Sequence, residues 1–131
     1  MRSTSENITE LKENEIFVFG SNIQGNHAGG AARTAVEKFG AIMGQGVGLQ
    51  GQSYAIPTME GLEPLIKHVN EFIEFAKKNP QLTFYLTKVG CGIAGYEEHR
   101  IKPLFSDTPS NVIKPEGWNT SQKGTDNERT T

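Results

Sequence analysis

The sequence predicts an α/β domain built on a largely parallel sheet, and three observations carry that expectation. Short apolar runs rich in β-formers, IFVF at 16–19, SYAIPT at 53–58 and LTFYLTKV at 82–89, alternate with stretches whose apolar residues recur at helical spacing. The first and last of these runs break off at glycine-rich turns. Parallel strands need long crossover connections, and the intervening helices supply them. At 131 residues the chain has the size of one domain.

Residues 1–15 are mostly polar, with Ile8 and Leu11 placed to anchor a short edge strand or a turn. IFVF is continuously apolar and stopped by Gly20, the pattern of a strand buried on both faces. After the loop SNIQGNHAGG, Ala32, Ala35, Val36 and Phe39 keep helical spacing, and Gly40 sits where a left-handed cap ends a helix. Glycines at 44, 46, 48 and 51 make AIMGQGVGLQGQ read as a mobile or tightly folded loop before the SYAIPT strand, which ends near Pro57.

Leu62, Leu65, Ile66, Val69, Phe72, Ile73 and Ala76 mark one stripe of a long amphipathic helix. Glu60 and Glu63 near its start and Lys77 and Lys78 near its end match the helix dipole. Pro64 is tolerated only in the first turn, and Asn79 with Pro80 ends the helix. LTFYLTKV reads as a further buried strand, followed by the loop GCGIAGY and a short helix through EEHRIKPLF, kinked at Pro103. Asn111 to Ile113 form a last short strand. Residues 119–131 hold no aliphatic or aromatic side chain and read as a disordered tail, so the domain is expected to span 1–118.

Charge and cysteine content narrow the setting. Thirteen Lys and Arg against fifteen Asp and Glu leave a formal charge of −2, which argues against nucleic acid or an acidic membrane as partner. One cysteine, Cys91, excludes an intrachain disulfide and a cysteine-rich zinc site. Scattered histidines at 27, 68 and 99 predict no metal site, and no cofactor is implied. No apolar run approaches signal-peptide or membrane-spanning length, so a cytoplasmic protein is expected.

Chemistry concentrates in the glycine loops. Gly20, four residues and Gly25 begin a P-loop, but Asn26 and His27 stand where Lys and Ser or Thr are required. GVGLQG at 46–51 has dinucleotide-fingerprint spacing but precedes a strand instead of joining a strand to a helix. A more general reading survives: glycines admit a ligand close to the backbone, and the first amides of a helix lack internal acceptors and attract phosphate oxygens. In a parallel sheet the loops leaving strand carboxyl ends share one edge, so SNIQGNHAGG and GCGIAGY should face a common crevice. The plain alternative is that the glycines only make tight turns.

Taken in order, ENITEL, IFVFGSN, HAGGAARTAVEKFG, SYAIPT and VGCGIAGY resemble segments of the macrodomains, a family that binds ADP-ribose. The GCG loop is most similar to a divergent branch containing terminal ADP-ribose protein glycohydrolases and uncharacterised bacterial and phage macrodomain-like proteins. The resemblance implies a three-layer α/β/α fold with a mixed, largely parallel central sheet. It implies that Asn22 and the backbone at Gly29, Gly30 and Ala31 meet the distal ribose. It further implies that Gly90, Cys91, Gly92, Ile93 and Ala94 wrap the diphosphate, with Tyr96 near the distal ribose. Asn7 takes the place of the family's adenine-binding aspartate, with Ile8 next to it; an amide still accepts that bond, but without the charge.

Where the glycohydrolases carry a loop aspartate this chain has Ala94, and no lysine lies in the segment after SYAIPT, so their lysine chemistry is expected to be absent. Asn22 and His27 remain as polar candidates for hydrolysis, His27 because imidazole titrates near neutral pH. Three functions follow: a binding module for ADP-ribose or a related nucleotide diphosphate, free or protein-linked; an ADP-ribosyl hydrolase using Asn22 or His27; or a non-catalytic protein-interaction scaffold. Cys91 is read as a small residue in a tight loop, and Trp118 as a packing anchor.

Overall fold

A computed structural model describes residues 3–5 and 8–119. Asn7 and residues 120–131 of the expected tail lie outside the described residues. The elements follow the order β1 (Glu15–Ser21), α1 (Gly30–Lys38), β2 (Gly48–Gln50), β3 (Ser53–Pro57), α2 (Leu62–Lys78), β4 (Thr83–Leu86), α3 (Glu98–Ile101) and β5 (Val112–Ile113). A 3₁₀ turn, Lys102–Phe105, continues α3 and carries Pro103 in its first turn. Five strands form one mixed sheet in the order β2-β3-β1-β4-β5; only the β2–β3 pair is antiparallel.

Side chains alternate across a strand, so β1 serves two cores. Ile16 and Val18 join Tyr54, Ile56, Phe84 and Leu86 beneath α2, the 3₁₀ turn and Trp118. Phe17 and Phe19 join Ala55 beneath α1, through Ala32, Ala35 and Phe39. Helices therefore cover both faces of the sheet.

The α2 stripe buries Leu65, Val69, Phe72, Ile73 and Ala76. Burying a large apolar side chain contributes about 1.5–3 kcal/mol, against tenths of a kcal/mol for helix propensity, so packing holds this helix. Phe72 sits at the centre, edge-on to Tyr54, Phe84 and Phe105 with ring centroids 5.1, 5.5 and 6.3 Å away. By contrast α1 has nine residues and buries only Ala32 and Ala35 fully, too little to stand without the sheet. Its end is anchored to the β2–β3 turn: Gln52 donates its amide to the Phe39 carbonyl at 2.8 Å. Gly40 and Gly51 have φ of 78° and 60°. A Cβ on Gly51 would stand 2.7 Å from the Gly40 Cα, so that contact requires glycine.

Two local expectations are corrected. The segment read as a loop before SYAIPT contains edge strand β2; three residues between glycines are too few to show an alternating pattern. Gln50 organises the loop before β2, accepting from the Ile42 amide at 2.8 Å and donating to the carbonyls of Gln45 and Gly48. Of the edge strand or turn expected around Ile8 and Leu11, the strand does not form: both lie in irregular chain packed against the α1-side core, ahead of a turn closed by the Glu15 amide on the Lys12 carbonyl. It is Thr4 that bridges to Pro115, with its hydroxyl donating to the Ile113 carbonyl at 2.7 Å. Among the described residues no helix is long and apolar enough to cross a membrane.

Asn111 ties the end of α2 to the approach of β4. Its Nδ2 lies 3.0 Å from the carbonyls of Ala76, Asn79 and Leu82, two protons shared among three acceptors. Asn111→Ala leaves these partly buried acceptors without that donor and should lower stability by about 1–3 kcal/mol, read as a lower urea midpoint at unchanged slope.

Candidate functional site

The site forms where parallel neighbours β1 and β4 end. Beyond β1 the chain runs through residues 22–29 into α1. That loop is stitched to its surroundings: the Ile23 amide donates to Glu60 Oε2 at 3.0 Å, and the Gly44 amide to the Gly25 carbonyl at 2.9 Å. Gly29 caps α1 in an extended conformation and offers no side chain, so no side chain occupies the first helical amides.

Beyond β4 the loop folds on itself through Cys91 N–H to Lys88 O, Gly95 N–H to Gly92 O and Tyr96 N–H to Gly90 O, at 3.1, 3.0 and 2.9 Å. Among the described residues, the amides of Gly92, Ile93 and Ala94 donate to no protein acceptor.

Both loops line one cleft of about 370 Å³. Asn22, Gly29, Gly30 and Ala31 stand on its α1 side, and Gly90, Gly92, Ile93 and Ala94 on its β4 side. A second lobe of about 780 Å³ adjoins it, lined by Ile8, Phe17, Thr34 and Pro115 among others. The lobes share Gly30, Ala31, Thr87 and Lys88. Each has the volume of a small-molecule pocket.

Three of the residues expected at the site do not line either lobe. His27 is 2% exposed; its Nε2 lies 2.9 Å from the Gln45 carbonyl and its ring meets Phe19 edge-on. A carbonyl only accepts, so Nε2 carries the proton, and Nδ1 is left buried without a partner. Tyr96 packs beside Gly90 and Ile101 and under Arg100 instead of facing the cleft. Cys91 packs against the α2-side core, and burial pushes its thiol pKa up, away from a reactive thiolate. Asn22 does line the cleft, but its side-chain amide is engaged with Asn26: Oδ1 accepts from the Asn26 amide at 2.9 Å and Nδ2 donates to its carbonyl at 3.2 Å.

Lys88 is the functional candidate that the sequence reading passed over. Counted as part of the LTFYLTKV run, it lies beyond the end of β4, where it lines both lobes of the cleft. Its Nζ stands 3.1 Å from Glu98 Oε2, while the Trp118 indole N–H donates to Glu98 Oε1 at 2.9 Å. The indole bond first, and Lys88 second, hold the Glu98 carboxyl below its ordinary range. The signal available in the sequence was a lysine two residues before GCG, at a strand's carboxyl end.

Neither protein-family models, characterised proteins nor solved structures yielded a match to this chain.

Because the folded-state pKa of Glu98 is depressed, its contribution to stability is present above the unfolded carboxylate value near 4.5 and is lost as pH falls through the lower folded value. Trp118 is the sole tryptophan. Its fluorescence should therefore show a transition below pH 4.5 that Glu98→Gln abolishes while the fold persists. A transition unaltered in that variant would contradict the assignment.

Proposed function

We propose that the cleft binds ADP-ribose or a related nucleotide diphosphate, free or attached to a protein, as a macrodomain-like module. One observation carries this reading: backbone donors at the start of α1 and at Gly92, Ile93 and Ala94 line the same cleft without protein acceptors to occupy them. Phosphate oxygens are well matched to amide clusters of this kind. The adjoining larger lobe, with Ile8 and Phe17 in its wall, offers apolar surface for a base. A five-stranded sheet with helices on both faces is compatible with the three-layer arrangement that the macrodomain resemblance implies.

The hydrolase alternative draws no comparable support. A general base must reach the water it activates. His27 is buried beside Phe19, and the Asn22 side chain is spent on its own loop. Binding without turnover is the expected behaviour.

Titration with ADP-ribose, NAD, ADP and nucleotide sugars, read as heat and as melting temperature, tests the reading. A ligand present at 100 times its Kd stabilises the native state by about 2.7 kcal/mol, a readily measured shift. No response to any of them would leave the scaffold function; release of ADP-ribose from a modified protein would instead establish the hydrolase.

Gly92 offers a sharper check. A Cβ there meets nothing within 4 Å, so a larger side chain fits the fold and projects into open space. Gly92→Val should keep the melting temperature and weaken ADP-ribose binding by at least about tenfold, the value of one hydrogen bond to a charged group.

A further inference from the structure

We infer that Lys88 is the charge that recognises the anionic centre of the ligand, and that Glu98 is the counter-ion the ligand must displace. This rests on the diphosphate reading above and adds a positive charge to a site whose smaller lobe is otherwise lined by uncharged residues and whose larger lobe also carries Glu116. Among the described residues lining the two lobes, Lys88 is the only lysine or arginine, and it belongs to both. It stands at their seam.

That position selects a class of ligand. A molecule with its negative charge between two organic arms brings the charge to Lys88 while filling both lobes. A monophosphate ester has only one arm and leaves a lobe empty. The cleft therefore favours a diphosphate substituted at both ends over a mononucleotide.

Glu98 is fixed from behind. Trp118, 2% exposed and packed on Phe105 with ring centroids 5.9 Å apart, holds one carboxylate oxygen, and Glu98 itself does not line the cleft. The Lys88 and Glu98 side chains are 37% and 48% exposed. A pair this wet contributes little to stability, so Lys88 exchanges partners at small cost. Glu98 thus keeps weakly charged anions out, and a diphosphate, with greater charge and charge-assisted hydrogen bonds, takes its place.

The experiment titrates the full chain with inorganic pyrophosphate and with ADP-ribose at low and high salt, comparing wild type with Lys88→Met, Lys88→Arg and Glu98→Gln, each confirmed folded by its melting curve. Lys88→Met should weaken both ligands by about tenfold or more and flatten the salt dependence, and Lys88→Arg should restore both. Glu98→Gln keeps an acceptor for Trp118, removes the competing charge and should tighten pyrophosphate. Equal affinity and equal salt dependence in Lys88→Met would overturn the role of Lys88. Unchanged or weaker binding in Glu98→Gln would overturn the role of Glu98. If wild type takes pyrophosphate but not ADP-ribose, and Lys88→Met loses it, the inference stands while the ADP-ribose reading falls. If wild type takes neither, both fall.

Discussion

The structure depends on a strand that is apolar on both faces. With Ile16 and Val18 on one side and Phe17 and Phe19 on the other, β1 cannot leave either face in water, and all four are buried. Two layers of helix must then cover the sheet. Parallel pairing of β1 with β3 and β4 is the arrangement that lets crossover helices do so. The two layers are unequal: α2 brings large side chains and long contact, whereas α1 approaches the sheet closely through alanines.

The same constraint locates the site. When parallel neighbours end together, their outgoing loops meet on one rim, and no side chain is needed to bring them there. Small residues then keep the rim open. Gly29, Gly30 and Ala31 face Gly90, Gly92 and Ala94 across the cleft, leaving backbone dipoles to set its electrostatic character. Lys88 lines this surface, and its ammonium is paired with a carboxylate that an indole holds in place. The loop histidine serves a different purpose. Packed on Phe19 and joined to the Gln45 carbonyl, His27 fastens the first loop to the segment before β2.

Several elements were legible because their cause is local. The stripe from Leu65 to Ala76 repeats at helical spacing, Gly40 stops α1 with a positive φ, and Pro103 starts a 3₁₀ turn where a helix restarts. The shared rim was also legible, since it follows from strand order and not from any side chain. β2 was not, because its three residues pair only through their neighbour β3. Nor was the fate of Tyr96 and Cys91: one loop presents some residues outward and others inward, and sequence spacing does not say which.

By itself, the sequence determined the α/β class, the order of the strands and helices other than β2, one glycine-lined rim and a near-neutral charge, all consequences of periodicity, backbone freedom and composition. Tertiary structure alone decided which loop groups face the cleft, that His27 turns into the core, and that Lys88, Glu98 and Trp118 form a chain of contacts. These are juxtapositions of residues far apart in the chain, Gly30 with Gly92 across the cleft and Glu98 with Trp118 behind it. Only packing of the helices and the closing segment onto the sheet creates the distances that such contacts need.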